Sequence, residues 1–362
     1  MRIAIVGTRG VPANYGGFET FAEELGRRLV DRGHEVLVYC RERHPGDRYL
    51  GMRLQTLPTI RHKYLETIVH TGISTLHLLT QRQDVALYCN AANAVFTWMP
   101  RVVGTPVALN VDGLERKRKK WNRVAKAWYR LSEWLSTFCP TRAVSDALAI
   151  RAYYREEYNA ETTFIAYGAE MGKVDGRAAL EELGLEPGRY FLYVSRMEPE
   201  NNGLVVREAF EQVSTDLRLA LIGDAPYADD YIARVRQTTD KRIVMPGAIY
   251  GQGYKELGSF CFAYVHATEV GGTHPALIEA MGRGAMVLYL DTEENREVAG
   301  GAGLPFTVAN LADVMRQALE LPVAEQDRLR AAAVERVRDR YSWDAVTDEY
   351  VALFEELCID RG

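Results

Sequence analysis

The residue types best suited to chemistry lie in a glycine-rich stretch, 269–283, which follows an apolar run at 261–265 that predicts a strand. Pro275 suits the first position of a helix, with Thr273 or His274 as the cap, because proline lacks the N–H group that would be unpaired there. The pair Gly271 and Gly272 would let the backbone approach a ligand closely. Because free N–H groups and the helix dipole both favour negative charge, the stretch predicts a phosphate site.

Two carboxylates, Glu269 and Glu279, flank the predicted phosphate site. Carboxylates bind phosphate poorly, but they accept hydrogen bonds from the hydroxyl groups of a sugar or a ribose. Phosphate and sugar sites side by side favour a sugar nucleotide as the ligand. A surface turn that caps an ordinary α/β helix would account for the same residues without any ligand.

This stretch resembles the acidic donor-binding motif of retaining glycosyltransferases of family four, which is a Glu, seven residues and a second Glu that opens Glu-Ala-Met. Aligning Glu279 on the second Glu places Gly271 at the first, and Glu269 lies two residues earlier. The resemblance implies that Glu269 takes the part of the displaced Glu and contacts hydroxyls of the donor sugar. It implies that Glu279 receives a hydroxyl of the nucleoside ribose.

A second glycine-rich segment, 7–20, follows the predicted strand at the start of the chain and reads GTRGVPANYGGFET. It is neither the dinucleotide-binding Gly-x-Gly-x-x-Gly nor a P-loop. Gly16 and Gly17 stand before a predicted helix and could offer N–H groups to phosphate, or they could simply form a turn. The segment closely resembles the corresponding segment of a bacterial subgroup of this family that transfers rhamnose from dTDP-rhamnose.

The segment 195–203, SRMEPENNG, follows another predicted strand and opens a helix. It resembles the family segment in which an Arg and a Lys bind the donor diphosphate. Arg196 matches, and the guanidinium group suits phosphate because it donates two parallel hydrogen bonds. Asn202 occupies the Lys position, as in the rhamnosyltransferase subgroup. A structural ion pair is the alternative for Arg196.

The loop at 110–115 ends a predicted strand of the first domain, and Asp112 is its candidate catalytic residue. Its carboxylate could accept a proton from an acceptor hydroxyl or hold the donor sugar. The alternative is that Asp112 and Gly113 form an ordinary turn with no catalytic role. The histidines have no metal-ligand spacing, so no metal site and no cofactor are expected.

The chain has 362 residues, 47% of them hydrophobic, and can bury two cores of ordinary domain size. It lacks a run of about 18 apolar residues, so we expect no membrane-spanning helix. Its first residues lead directly into a predicted strand without the layout of a signal peptide. The cysteines are scattered, which indicates reduced thiols and a cytoplasmic location: Cys40, Cys89, Cys139, Cys261 and Cys358.

The net charge of -5 is divided unevenly along the chain. Through Gly168 there are 24 Lys and Arg against 16 Asp and Glu, a net of +8, and the remainder has 20 against 33, a net of -13. Much of the excess lies in one run interleaved with aromatic rings: Arg116, Lys117, Arg118, Lys119, Lys120, Trp121, Arg123, Lys126, Trp128, Tyr129 and Arg130.

Cations mixed with aromatic rings suit an anionic membrane surface, so 116–121 predicts the acceptor or membrane side of the protein. The enzyme would then work at the inner face of the cell membrane. A solvated helix face whose rings enter the core is the alternative. Nucleic acid is not an expected partner, because the chain as a whole is acidic and shows no nucleic-acid motif.

Predicted strands and amphipathic helices alternate in two series, which indicates two α/β domains with mostly parallel sheets. We predict domains at 1–168 and 169–342, with the final helix, 343–362, returning to the first. The resemblance implies the GT-B layout, two doubly wound Rossmann-like domains that face each other across a cleft. The predicted strands are 2–6, 36–39, 85–89, 106–110, 142–144, 163–166, 190–194, 217–222, 242–245, 261–265 and 286–290.

These residues together predict a metal-independent, retaining glycosyltransferase that takes rhamnose from dTDP-rhamnose. The acceptor would be a lipid-diphosphate-linked sugar such as N-acetylglucosamine in cell-wall or surface-polysaccharide synthesis. Alternatives are a transferase for a UDP- or GDP-sugar, a sugar-nucleotide epimerase, and a sugar-nucleotide-binding protein without turnover.

Overall fold

The protein was analysed as a computed structural model that describes residues 1–13, 16–60, 62, 65–114, 116, 122–225, 228–271 and 273–359. The chain forms two compact units. The first is built from the chain up to Gly168 and from Trp343 onward, and the second comprises Ala169–Ser342. Within the described ranges, no helix is both long and apolar enough to cross a bilayer.

The first unit has a sheet in the order β3-β4-β2-β1-β5-β6-β7-β8, parallel except for the β3–β4 pair. Its central strands are fully buried and rich in branched apolar residues, as a sheet covered on both faces requires. The strand order reverses between β1 and β5. The chain winds outward from β1 to β2, β3 and β4 on one side, and from β5 to β6, β7 and β8 on the other. The strands are β1 Arg2–Val6, β2 Glu35–Cys40, β3 Arg48–Tyr49, β4 Met52–Thr56, β5 Val85–Cys89, β6 Val107–Asn110, β7 Arg142–Ser145 and β8 Thr163–Phe164.

The helices of the first unit include one from the far end of the chain, α14, which packs against α1 and β5. Trp343, its first residue, is buried with its ring 5.0 Å from that of Tyr167 and 6.3 Å from that of Phe21. The helices are α1 Gly17–Asp31, α2 Glu66–Leu78, α3 Trp98–Val102, α4 Arg123–Ser136, α5 Leu148–Tyr158 and α14 Trp343–Ile359.

The second unit has a parallel sheet in the order β11-β10-β9-β12-β13-β14. The chain winds from β9 through β10 to β11 on one side and from β12 through β13 to β14 on the other, so the order reverses between β9 and β12. The strands are β9 Tyr190–Val194, β10 Arg218–Ile222, β11 Ile243–Gly247, β12 Ala263–His266, β13 Met286–Leu290 and β14 Gly303–Phe306.

Helices cover both faces of this second sheet and enclose a core of apolar side chains around Phe191, Phe210 and Leu288. They are α6 Ala178–Leu183, α7 Gly203–Glu211, α8 Asp229–Arg236, α9 Gly251–Phe260, α10 Pro275–Gly282, α11 Glu293–Ala299, α12 Leu311–Glu320 and α13 Val323–Arg340. The predicted α/β class, with two Rossmann-like units, is confirmed.

Candidate functional site

The best candidate site lies in the second unit, at the carboxyl ends of β9 and β12. These strands are parallel neighbours at the point where the strand order reverses. In open α/β sheets the loops that leave such a point diverge and leave a crevice for ligands. The segments 195–203 and 267–274 follow these two strands, so the structure brings the predicted diphosphate and sugar residues to one edge of one sheet.

The loop after β9 is fixed by close backbone packing. Ser195 lies against Gly223, where a Cβ atom would overlap the Ser195 carbonyl oxygen, and Gly223 has a φ of 148° that only glycine readily adopts. Asn201 donates from Nδ2 to the carbonyl oxygen of Arg196 at 2.7 Å. The half-buried Arg196 therefore projects from a backbone held on both sides.

Asn202 joins the two loops. It adopts the left-handed conformation, with φ at 59°, and precedes α7. Its Nδ2 donates to the carbonyl oxygen of Ala267 at 2.9 Å and to Oε1 of Glu269 at 3.1 Å. The backbone N–H of Glu269 donates in turn to the carbonyl oxygen of Glu200 at 2.9 Å. The side chain at the family's lysine position thus orients the candidate sugar-binding carboxylate.

The helix after β12 begins as the sequence predicts, with Pro275 in its first turn and His274 as the N-cap residue. Nδ1 of His274 lies 2.7 Å from Oδ1 of Asn295. The amide nitrogen of Asn295 donates to the carbonyl oxygens of Thr268 and Leu290, so Oδ1 is the acceptor and His274 donates from Nδ1. Asn295 therefore holds the His274 ring in place at the start of α10.

Gly271 packs directly against that ring. A Cβ atom at position 271 would overlap Nε2 and Cδ2 of His274, which Asn295 holds in place. A glutamate at this position would meet the same obstacle, and the acidic residue nearest in sequence is Glu269. Thr273 is buried beside the helix start, and Gly272 lies outside the described residues.

Glu279 stands on α10 and is bound by a tyrosine from α9. The Tyr254 hydroxyl donates to Oε2 of Glu279 at 2.6 Å. Burial and the adjacent carboxylate raise the pKa of Tyr254 well above its ordinary value, so the hydroxyl keeps its proton and acts as the donor. One oxygen of the predicted ribose-binding carboxylate therefore already accepts a hydrogen bond from the protein.

Two polar residues of this site were not predicted. Tyr254 reaches Glu279 from a helix 25 positions earlier, and no local pattern signals that contact. Glu200 is fully buried, and its carboxylate oxygens have no hydrogen-bond partner among the described residues. The sequence signal for Glu200 was its place in the segment 199–202, Pro-Glu-Asn-Asn, next to the candidate donor residues.

In the first unit, the glycine-rich loop leaves β1 at the point where that sheet reverses its order. A Cβ atom on Gly7 would lie 2.5 Å from the Cys89 carbonyl oxygen, and one on Gly10 would lie 2.6 Å from Sγ of Cys40. Both glycines also have positive φ values, 95° and 106°. These two glycines are therefore required by close approach to neighbouring strands.

Gly16 caps α1 and Gly17 begins it, as expected for an N–H-presenting turn. A carboxylate already lies in this turn, because Oε1 of the buried Glu19 accepts from the backbone N–H of Arg9 at 2.9 Å. Burial raises the pKa of Glu19. A phosphate at Gly16 and Gly17 would have Glu19 as a near neighbour.

Asp112 follows β6 in the first unit, at the same edge of the sheet as the glycine-rich loop. Its φ of 56° places it in the left-handed region, which aspartate tolerates better than most residues. The backbone N–H of Asp112 donates to Oδ1 of Asn110 at 3.0 Å, and Nδ2 of Asn110 donates to the Tyr350 hydroxyl at 3.0 Å. A side chain from α14 thus supports the turn that presents Asp112.

Arg116 is the one described residue of the predicted run 116–121. Its Nε donates to Oε2 of the buried Glu133 at 3.1 Å and to the Tyr153 hydroxyl at 3.1 Å. The guanidinium group also lies 5.5 Å from the centre of the Tyr153 ring. Lys117, Arg118, Lys119, Lys120 and Trp121 lie outside the described residues.

Across the described part of the chain, no group of three or more His, Cys, Asp or Glu side chains could hold a metal ion. Metal independence stays a prediction, to be tested directly. The cysteines are free, and all but Cys358 are buried.

The two doubly wound sheets, each with one reversal of strand order, define an α/β protein with the GT-B fold. Residues 188–321, within the second unit, match the family model Glycosyl transferases group 1. Residues 1–49 and 86–170 of the first unit match a domain of unknown function, DUF1972.

Solved structures share the fold of the whole chain. Sucrose-phosphate synthase from Thermosynechococcus elongatus is 18% identical, with a TM-score of 0.79 over 98% of each chain. HepE of Anabaena, in complex with UDP-glucose, is 14% identical with a TM-score of 0.80, over 98% of this chain and 100% of its own. WaaG, a glycosyltransferase involved in lipopolysaccharide biosynthesis, is 14% identical with a TM-score of 0.75, over 97% and 99%.

One curated relative comes from Campylobacter jejuni and is an N-acetylgalactosaminyltransferase named for an N-acetylgalactosamine-N,N'-diacetylbacillosaminyl-diphospho-undecaprenol substrate. It is 26% identical over 168 residues, which are 46% of this chain. The match spans less than half of the relative, 45% of its length.

Proposed function

We propose that the protein is a retaining glycosyltransferase that moves rhamnose from dTDP-rhamnose to a lipid-diphosphate-linked sugar, without a metal ion. The observation that carries the proposal is the hydrogen bond from Nδ2 of Asn202 to Oε1 of Glu269. It fixes a carboxylate, suited to sugar hydroxyls, beside the loop of Arg196 and the start of α10. Arg196 and the amides around Gly271 and Thr273 would receive the donor diphosphate.

The choice of a deoxythymidine donor is supported by Tyr254. A ribose offers two hydroxyl groups to a carboxylate, whereas the deoxyribose of dTDP offers one. Because Tyr254 holds Oε2 of Glu279 at 2.6 Å, a second ribose hydroxyl would have to compete with the tyrosine. This competition favours a nucleoside with a single ring hydroxyl.

The lipid-linked acceptor is supported by the Campylobacter relative, whose name specifies an undecaprenyl-diphosphate-linked sugar. The acceptor sugar itself, for which we propose N-acetylglucosamine, rests on the resemblance of the 7–20 segment to rhamnosyltransferases. Cell-wall or surface-polysaccharide synthesis would be the process that uses the product.

In the proposed step, the acceptor oxygen bonds to the anomeric carbon of rhamnose while the bond from that carbon to the diphosphate breaks on the same face. The acceptor proton passes to the departing diphosphate or to Asp112, and dTDP leaves. Stabilising the negative charge on the diphosphate is the main catalytic task, which Arg196 and the backbone amides would perform.

Calorimetric titration of the protein with dTDP-rhamnose, UDP-glucose, UDP-N-acetylglucosamine and GDP-mannose tests the donor. We expect dTDP-rhamnose to bind selectively, and to bind equally well in EDTA. Preference for a UDP- or GDP-sugar would overturn the donor, and binding that requires Mg²⁺ would overturn metal independence. Rhamnose transfer to a lipid-diphosphate-linked N-acetylglucosamine then tests the acceptor.

Substitutions separate the proposed roles. Arg196→Ala and Glu279→Ala should each weaken donor binding by roughly tenfold or more, since each removes a charged hydrogen-bonding group. Asp112→Ala should leave donor binding nearly intact and lower turnover. Arg189→Ala is the matched control, because Arg189 is exposed at the opposite end of β9. Equal donor affinity in all these variants would contradict the division of roles.

A sugar-nucleotide-binding protein without turnover is the second candidate. It is favoured by Asn202 in place of a lysine, which removes one positive charge from the diphosphate site. Donor binding without transfer to any lipid-linked acceptor would support this candidate. Conversion of the donor in the absence of acceptor would instead indicate an epimerase.

A further inference from the structure

Helix α4 carries an apolar stripe on its outer surface. Val124, Ala127, Leu131, Trp134 and Phe138 follow one another at alternating steps of three and four, which aligns them along one side of the helix and its end. The exposed fractions of Val124, Leu131, Trp134 and Phe138 are 77%, 45%, 52% and 49%. The rings of Trp134 and Phe138 pack edge to face with centroids 4.7 Å apart.

The inner side of the same helix carries several buried polar side chains beside Leu135, which packs on the core of the first unit. Ser132, Glu133 and Ser136 are buried. Oε2 of Glu133 accepts from the Tyr158 hydroxyl at 2.9 Å, and Oγ of Ser136 donates to the Tyr154 hydroxyl at 3.1 Å. Hydrogen bonds therefore attach α4 to its unit, and the apolar stripe is left outside the core.

Helix α3 adds to this exposed surface where α4 ends. Nη1 of Arg101 donates to the carbonyl oxygens of Phe138 and Cys139 at 2.9 and 2.7 Å, which ties α3 to the end of α4. Trp98 and Val102, one turn apart on α3, are 49% and 75% exposed. Large apolar side chains gathered in this way mark an interaction surface.

The charges beside the stripe have one sign. Arg123, Lys126 and Arg130 are exposed and lie along one flank of the stripe at steps of three and four. The one acidic residue of α4 is Glu133, which is buried. The outward surface of α4 therefore combines an apolar stripe with a cationic flank.

We propose that this outward surface of α4, extended by Trp98 and Val102 of α3, lies in the headgroup region of an anionic lipid bilayer. Amphipathic helices with aromatic residues on one side and cations on the other bind such surfaces in plane. A second copy of this chain is a poorer partner, because a symmetric contact would bring the two cationic flanks together. The proposal rests on this surface alone and not on the donor or acceptor of the proposed reaction.

The aromatic residues proposed to enter the bilayer are not the ones that lie within the basic run of the sequence. Trp128 and Tyr129 lie within the basic run, but both are half-buried and turn away from the stripe. The rings that face outward are Trp134 and Phe138, which lie beyond the run.

The test is flotation of the full chain with vesicles of phosphatidylcholine alone or with 30% phosphatidylglycerol. We expect binding to the anionic vesicles, and weaker binding at high salt. Val124→Ser with Leu131→Ser should weaken binding about tenfold by loss of apolar contact. The control is Val308→Ser with Val323→Ser, which removes side chains of similar exposure, 49% and 71%, from the second unit.

A charge variant gives an independent measurement. Arg123→Gln, Lys126→Gln and Arg130→Gln together should weaken binding to anionic vesicles on the order of a hundredfold. Arg234→Gln, Arg236→Gln and Lys241→Gln remove the same number and kinds of exposed cations from the second unit and should change it little. Circular dichroism would verify that each variant is folded.

Several outcomes would overturn the proposal. If both α4 variants bind anionic vesicles as well as the wild type does, α4 is not the membrane contact. The same conclusion follows if the control variants lose as much binding as the α4 variants. If the wild type is a dimer in sedimentation and the Val124→Ser, Leu131→Ser variant is a monomer, the stripe is a protein interface instead. Donor titration is carried out without vesicles, so a failure of the proposed reaction is separable from a failure of membrane binding.

Discussion

Tyr254 is the residue that most sharply distinguishes the proposed donor site from a plain carboxylate site. Its hydroxyl binds Oε2 of Glu279 at 2.6 Å, and its raised pKa keeps it a donor. In the proposed donor site, a carboxylate with one oxygen bound by the protein would still orient a nucleoside, but it would disfavour a second sugar hydroxyl.

Tyr254→Phe should therefore change nucleotide selectivity. Removing the hydroxyl releases Oε2, so we expect affinity for UDP to rise relative to dTDP by about tenfold, the effect of one hydrogen bond to a charged group. Calorimetry with UDP and dTDP gives the ratio. Tyr190→Phe is the matched control, because its buried hydroxyl donates to the Leu257 carbonyl oxygen of the same helix, α9. A ratio that is the same in wild type and Tyr254→Phe would contradict the assignment.

Gly271 gives a second prediction. Gly271→Ala should lower the free energy of unfolding by about 1–3 kcal/mol, because the added methyl group overlaps a histidine ring held by Asn295. Denaturant unfolding measures the change. In a His274→Ala background the same substitution should cost less, and an equal cost there would show that the ring is not the obstacle.

Residue roles that depend on near neighbours in the chain could be predicted from the sequence. Pro275 in the first turn of α10 and the glycine pair at the start of α1 follow from local backbone chemistry. The Tyr254–Glu279 and His274–Asn295 pairs could not be predicted, because their members are 25 and 21 positions apart and meet only through the sheet.

At the scale of elements, the buried parallel strands were the easiest to predict. Strands β1, β5, β9 and β13 are continuous apolar runs, and their predicted bounds agree with the structure. The strands that were missed were the edge strands β3 and β14 and the strand β4 next to β3. β14 contains Pro305, which argues against a central strand but is tolerated at an edge, where an N–H group is not needed.

Helix α2 is attached to β2 through a buried histidine. Nε2 of His70 lies 3.1 Å from the Cys40 carbonyl oxygen and so donates to it. Burial, aided by the charge of Arg41, lowers the pKa of His70 to about 4. The folded protein therefore holds this histidine neutral at a pH where the unfolded chain binds a proton.

Stability should consequently fall as the pH decreases from about 6.5 towards 4, because the unfolded state takes up the proton first. We expect His70 to account for a loss of about 2 kcal/mol between pH 7.5 and pH 5. His70→Gln, which keeps an amide donor for Cys40, should remove that part of the loss in denaturant unfolding, whereas substitution of the exposed His62 by Gln should not. An unchanged pH dependence in His70→Gln would show that another group is responsible.

At the scale of the whole molecule, the chain leaves the first unit at Gly168 and returns to it at Trp343. The return is fixed by packing and by ion pairs. Trp343 lies against Phe21 and Tyr167, and a Cβ atom on Gly168 would overlap its ring. Arg32, the C-cap residue of α1, binds Asp348 at 2.8 Å. The first unit is therefore a discontinuous domain.

Trp343→Ala should destabilise the first unit by about 3–5 kcal/mol, the usual cost of removing a buried tryptophan. Hydrogen exchange resolves the two units, and we expect amides of α1 to lose protection while those of β10 keep theirs. Ile359→Ala, at a site on α14 that is 78% exposed, is the control. Full protection of α1 in the Trp343→Ala variant would contradict a structural role for the returning helix.

The discontinuity of the first unit also sets the order in which the two units can fold during protein synthesis. The ribosome makes Ala169–Ser342 as one uninterrupted piece, so the second unit can fold as soon as that piece emerges. Phe21 and Tyr167 are synthesised much earlier, yet their packing partner on α14 is made only after the whole second unit. The domain that is translated first is thus the one that is completed last, and until then its apolar surface under α14 is available to chaperones.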